Sequence, residues 1–168
     1  MTKIDLRSFS PEVFRVFSQQ PPLLTAGDRR ELNTMTIGWC QLGCVWNLPT
    51  CTVYVRPERY TYQFMESHDF FTVSVLPADR KKDMAFCGTK SGRDVDKVKE
   101  CGLTLRYGAG DAPFFEEAEW VLVCRKLFVQ DMEASCVKDE RVFKSYTPAM
   151  GGWHRAYIGE VVEAYQKR

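Results

Sequence analysis

Apolar positions fall in short runs, and most runs carry the two-residue period of a strand. From Thr50 to Arg56 the alternation is clean: Cys51, Val53 and Val55 lie on one face, Thr52, Tyr54 and Arg56 on the other. Pro57 ends the run, because proline cannot donate to a ladder. Leu23 to Ala26 is a short apolar run, closed by a turn at Gly27-Asp28. Thr34 to Trp39 and Phe70 to Leu76 have the β-branched and aromatic content of strands. Glu119 to Val129 reads as a long buried strand. Trp153 to Tyr165 reads as a last one, with Tyr157, Gly159, Val161 and Glu163 alternating against Ile158, Glu160 and Val162.

Helical spacing is confined to brief stretches. Tyr60 to Ser67 repeats Tyr60, Phe64 and Ser67 along one face. Asp79 to Phe86 predicts a helix capped near Gly88. Asp94 is the expected N-cap of a helix over Val95 to Cys101, with Gly102 as its C′ residue. Asp131 to Lys138 and Arg141 to Tyr146 carry weaker patterns. Short strands without regularly alternating long helices predict a mainly β (α+β) barrel or sandwich with helices outside, and disfavour a Rossmann sheet.

The length of 168 residues suits one domain over 1–168. Hydrophobic residues are 45% and charged residues 27%, which excludes a disordered chain. The net charge of +1 gives no basic excess for nucleic acid or an anionic membrane, so any anion site must be local. No apolar run is long enough to span a bilayer, and Met1 to Phe9 lacks the apolar block of a signal peptide. The expected location is cytoplasmic. Seven cysteines without a Cys-x-x-Cys pair, and only His68 and His154 beside them, argue against a structural zinc. Reduced, buried thiols are the expected state.

Four stretches could carry chemistry. Arg56-Pro-Glu-Arg59-Tyr60-Thr61 places two guanidinium groups and a hydroxyl where a strand gives way to a helix, a natural place for a phosphate. Two surface arginines paired with Glu58 or Glu66 would explain the same spacing. Phe86-Cys-Gly-Thr-Lys-Ser-Gly-Arg-Asp94 combines glycines, hydroxyls and cations between two helices. It is not a Walker A sequence, and an exposed connector is its alternative. Asn33-Thr-Met-Thr36 could meet the edge of a heterocycle, with Trp39 or Trp46 stacking on its face, or could simply start a strand. His154 is open between a site residue and a structural one. Cys87 has no adjacent base and reads as a buried thiol.

The order of these motifs resembles the flavin reductase-like family, and in particular its short flavoredoxin-type branch. The resemblance rests on Asn33 to Thr36, Tyr54 to Thr61, Phe86 to Lys97, and His154 with Tyr157-Ile-Gly-Glu160. It runs from about Leu23 to Val161. It implies an FMN-binding split β-barrel and a homodimer with the flavin at or near the subunit interface. It implies a phosphate held by Arg56, Arg59 and Thr61, beside Tyr60. It implies a flavin lined by Asn33, Thr34, Met35 and Thr36. Cys87, Gly88, Lys90, Ser91, Gly92, Arg93 and Asp94 would close the site, and Lys97 would lie nearby. The implied activity is electron transfer from NAD(P)H through FMN to flavin or another acceptor, with an FMN electron carrier reduced by a partner protein as the alternative. No catalytic residue and no metal are implied.

Overall fold

A computed structural model describes residues 1–167. Ten strands and four short helices follow in the order β1 (Thr2–Ile4), α1 (Val13–Gln19), β2 (Leu23–Gly27), β3 (Leu32–Thr36), β4 (Cys40–Val45), β5 (Leu48–Val55), α2 (Thr61–Ser67), β6 (Phe70–Val75), α3 (Lys81–Thr89), α4 (Lys97–Glu100), β7 (Leu105–Tyr107), β8 (Pro113–Phe115), β9 (Trp120–Asp131) and β10 (Arg155–Gln166). The large sheet is antiparallel, in the order β3-β2-β6-β9-β10-β5-β4. β10 runs the full length of β9 on one edge. Its other edge divides: Arg155 to Glu160 pair with β5, and Ala164 to Gln166 pair with β1.

The sheet curls around its core. Cys51, Val53 and Val55 of β5 share one apolar cluster with Phe71, Val73 and Val75 of β6, although β9 and β10 lie between those strands. Gly159 makes the close approach possible, since a Cβ there would stand 2.7 Å from the Phe71 ring and 3.0 Å from Cys124 Cβ. A second cluster covers the opposite face of β2 and β9 with α3, the Cys101–Leu103 turn and β8; it includes Leu23, Val121, Met84, Cys87 and Phe115. Cores on both faces explain why β2 and the first five residues of β9 are buried at every position.

The curled, mainly β sheet with peripheral helices agrees with the expected fold class. Local expectations differ in several places: β1, α1, β7 and β8 were not expected, β3 ends at Thr36 and not Trp39, and β9 is buried only over its first five residues. β4 was not foreseen. It pairs with β5 through a two-residue turn at Trp46-Asn47, whose φ values of 54° and 59° match a type I′ hairpin. α3 continues through Gly88 to Thr89 instead of stopping before it. Asp96, not Asp94, caps α4 by accepting a bond from the Lys99 N–H at 3.1 Å, while Gly102 takes the expected left-handed conformation at φ 57°. In β10 an irregularity between Val161 and Glu163 shifts the phase, so Ala164 takes the inner position that strict alternation gives to Glu163. The stretch 131–146 forms short 3₁₀ turns at Ala134–Cys136 and Glu140–Ser145.

Candidate functional site

β3 is one edge of the sheet, and three connections converge on it. These are the β5–α2 turn, the end of α3 with its following loop, and the 145–154 segment that leads into β10. They enclose two adjoining cavities of about 210 and 230 Å³ that meet at Met35 and Arg59. The first is lined by Asn33, Glu58, Arg59, Tyr60, Thr61, Thr89, Lys90, Ser91, Arg93 and Lys97. The second is lined by Thr36, Ile37, Gly38, Trp39, Tyr54, Arg56 and His154. One lobe is cationic and hydroxylic, the other flat and aromatic.

In the cationic lobe the side chains are held by short polar contacts. Asn33 Nδ2 donates to Thr61 Oγ1 at 2.8 Å, tying β3 to the first residue of α2. No side chain caps the first turn of α2. Arg59 donates from Nη2 to the Gly88 carbonyl at 2.8 Å, which ties the β5–α2 turn to α3. Lys97 is buried and donates from Nζ to the carbonyls of Thr34 at 2.8 Å and Cys87 at 2.9 Å. Burial holds the Lys97 ammonium below its ordinary value, and burial together with the charge of Arg56 does the same to Arg59. Among the described residues no carboxylate pairs with Arg59, Lys90, Arg93 or Lys97. Glu58 instead accepts from the Gly152 N–H at 2.7 Å, and Glu66 takes Arg155 and the Tyr157 hydroxyl. The alternative of two surface arginines paired with Glu58 or Glu66 is therefore not what the chain does.

Arg56 stands apart from Arg59. It points into the aromatic lobe, where its guanidinium donates to the carbonyls of Ser145 at 2.8 Å and Gly152 at 3.1 Å, and to that of Met150. It also lies 5.4 Å from the Tyr146 ring centroid. It fastens the 145–152 segment over the lobe. Trp39 and His154 pack there in a tilted pair with centroids 4.3 Å apart at 37°. The His154 Nδ1 and the Tyr146 hydroxyl share a hydrogen bond of 3.0 Å.

Burial, reinforced by Arg56, pushes His154 down to about 4, so the ring is neutral at pH 7. The unfolded chain takes up this proton near pH 6.5 and the folded chain only near pH 4. Stability is therefore expected to fall as pH drops across that window. Denaturant titrations at several pH values check this, and His154→Gln should flatten the dependence.

The structure does not gather every expected residue. Trp46 sits exposed at the tip of the β4–β5 hairpin, 6.0 Å from the Phe128 ring, outside both lobes. The Cys87 thiol turns into the second core, 3.8 Å from Cys101 Sγ, and burial pushes it up to about 12; only its carbonyl faces Lys97. The Thr34 hydroxyl turns inward to Thr25 and the Leu24 carbonyl. Thr36 donates to the Met84 carbonyl at 2.5 Å. Asp94 and Gly92 line a neighbouring chamber instead of the two lobes. Gly88 contributes its carbonyl to Arg59 and packs on Thr36, which a Cβ at Gly88 would approach to 3.3 Å. Tyr54 and Tyr146 were not singled out. The signal for Tyr54 was present, since the alternation that turns Arg56 outward puts Tyr54 on the same face.

Gly92 is where the loop closes on β3. A Cβ there would stand 1.9 Å from Asn33 Oδ1 and 3.0 Å from the Tyr60 ring. Gly92→Ala is expected to cost about 1–3 kcal/mol of stability through overpacking and to disturb the Asn33–Thr61 contact. Urea unfolding of the variant measures it.

The family model described as a flavin reductase like domain matches residues 14–168. The chain belongs to the flavin reductase-like family. No curated protein matches it. A solved flavoredoxin from Methanosarcina acetivorans is 24% identical with a TM-score of 0.68, covering 100% of this chain and 76% of its own. An FMN-binding protein from Thermus thermophilus is 20% identical at a TM-score of 0.70, covering 99% and 80%. An NADH:FAD oxidoreductase from Streptomyces globisporus is 20% identical at 0.65, covering 92% and 81%. At these identities the likeness is one of fold.

Proposed function

We propose that this flavin reductase-like chain is an FMN-dependent oxidoreductase that passes electrons from NAD(P)H to flavin or another acceptor. One observation carries the reading: a lobe with four cations and one carboxylate, Glu58, which is taken by the Gly152 N–H and among the described residues pairs with none of the four, opens directly into a flat aromatic lobe. That division matches a phosphate ester at one end and a planar ring at the other, so the residues present fit FMN. Arg59, Thr61, Lys90 and Ser91 hold the phosphate. Met35, Thr36, Trp39 and Tyr54 bound the ring. Arg56, expected at the phosphate, serves the ring end by holding the 145–152 segment down. Bound FMN supplies hydride acceptance and onward electron transfer. The protein orients the ring and keeps water from it with Trp39, Tyr146 and His154. No side chain is assigned as a general acid or base.

The functional unit is a homodimer. Leu127, Phe128 and Val129 of β9 lie exposed, with Trp46 against Phe128, and this apolar strip suits a second copy of the chain. The proposed setting is cytoplasmic, and among the described residues no helix is long and apolar enough to cross a membrane.

The absorption spectrum of the purified protein, before and after NAD(P)H, tests the reading. Flavin bands that bleach, with steady NAD(P)H oxidation in the presence of FMN, are expected. Bands without NAD(P)H oxidation would replace the enzyme by an electron carrier that a partner protein reduces. Colourless protein that takes up no FMN would end the flavin reading altogether.

A further inference from the structure

The cationic lobe holds one group that a phosphate does not explain. Glu58 lines it beside Arg59, Lys90, Arg93 and Lys97, and among the described residues its carboxylate forms an ion pair with none of them. A carboxylate in such a lobe repels the anion that the cations attract. Its place there is fixed at one oxygen. Oε1 accepts from the Gly152 N–H at 2.7 Å, and that bond above all holds the carboxyl below its ordinary value, so Glu58 is ionised at pH 7. A Cβ at Gly152 would stand 2.9 Å from Oε1, so the close approach needs glycine. Oε2 has no partner among the described residues. The short polar side chains around it are engaged: Asn33 donates to Thr61 at 2.8 Å, Ser91 Oγ accepts from the Arg93 N–H at 3.2 Å, and Thr89 donates to the Ala85 carbonyl at 2.8 Å.

The position of this free oxygen says what it could meet. In the β5–α2 turn Glu58 lies between Arg56, which lines the aromatic lobe, and Arg59, where the two lobes meet. Gly152 joins the same two lobes, since its N–H bonds Glu58 and its carbonyl accepts from Arg56 at 3.1 Å. A ligand with its phosphate in one lobe and its ring in the other threads its linking chain through this junction. In FMN that chain carries hydroxyls, and an ionised carboxylate accepts from a hydroxyl in a short charge-assisted bond. We propose that Glu58 is a specificity-determining residue: it accepts from the ribityl hydroxyls and selects a polyhydroxylated flavin phosphate over one with a plain alkyl chain. The proposal rests on the flavin reading, because only a ligand that fills both lobes brings a chain across the junction. A site that hydrogen-bonds a hydroxyl rejects the analogue lacking it, because the polar group is left unpaired.

The test compares FMN with the flavin in which a pentyl chain bearing the terminal phosphate replaces the ribityl phosphate. Ring, phosphate and chain length are the same, and only the hydroxyls are gone. Both are titrated by flavin fluorescence on the native protein, on Glu58→Ala and on Glu58→Gln. The native protein should bind FMN at least about tenfold tighter than the phosphopentyl flavin. Glu58→Ala should abolish that preference. Glu58→Gln, which keeps an acceptor oxygen and loses the charge, should reduce it. If Glu58 serves only to fasten Gly152, Glu58→Ala weakens both flavins alike and the preference survives, which overturns the proposal. Equal binding of the two flavins by the native protein overturns it as well. Should Glu58→Ala not fold, Glu58→Gln decides: a reduced preference supports the assignment, and an unchanged one overturns it. Failure of both flavins to bind the native protein overturns the flavin reading, and the proposal with it.

Discussion

Arg59→Ala is expected to weaken FMN binding by about 1.5–3 kcal/mol, roughly 10- to 150-fold, the worth of a hydrogen bond to a charged group. Arg59 is half-buried, has no carboxylate partner among the described residues, and is already fixed by the Gly88 carbonyl at 2.8 Å. Little of its rotamer freedom remains to be lost when a phosphate arrives. Arg56→Ala should behave differently. Its guanidinium serves three carbonyls of the 145–152 segment, so the loss should loosen that segment and perturb the spectrum of bound flavin more than the phosphate contact. Equilibrium titrations with FMN and with riboflavin, which lacks the phosphate, separate the two effects. Arg59→Ala should penalise FMN and spare riboflavin, whereas Arg56→Ala should affect both. If Arg56→Ala/Arg59→Ala kept full FMN affinity, the phosphate assignment would be wrong.

That contrast also marks how far the sequence could be read. Spacing put Arg56 and Arg59 together, because three residues apart at a strand end looks like one pair. The structure separates them, since the extended end of β5 turns Arg56 toward the final strand while the following turn carries Arg59 toward α3. Which carbonyls a guanidinium meets depends on a segment ninety residues away, and no local pattern encodes that. The β-rich fold was legible because Cys51, Val53 and Val55 alternate without interruption. The β4–β5 hairpin was not, because a Trp-Asn pair lacks the glycine that usually signals a type I′ turn. For the same reason Trp46 read as a stacking residue when it is a turn residue. Cys87 lies next to the correct loop in sequence, but α3 continues one turn further than expected and carries its thiol into the second core. Lys97 could be placed near the site only through the family resemblance, since a lysine four residues past Arg93 gives no local sign of burial.

Lys97 carries the second large effect. The residue is 4% exposed, and its ammonium donates to two carbonyls, those of Thr34 and Cys87. A buried charge without an opposite charge is costly, and burial accordingly holds its proton less tightly than in water. An anion in the cationic lobe would relieve that cost, so the charge should matter more with ligand than without. Lys97→Met keeps the length and removes the charge. It is expected to lower FMN affinity by at least about tenfold, while the melting temperature of the ligand-free protein moves little, because the lost hydrogen bonds and the relieved desolvation oppose each other. Alkaline pH gives an independent check on the sign. The folded value lies below the ordinary 10.5, so raising the pH neutralises Lys97 in the folded chain before it does so in the unfolded one. Ligand-free protein should therefore lose a stability penalty on the way up to that value. FMN should over the same interval lose its buried cation and bind more weakly. In Lys97→Met the affinity should stay flat across that interval. An unchanged alkaline profile in the variant would move the titrating group elsewhere and leave Lys97 as a fastener between α4, β3 and α3.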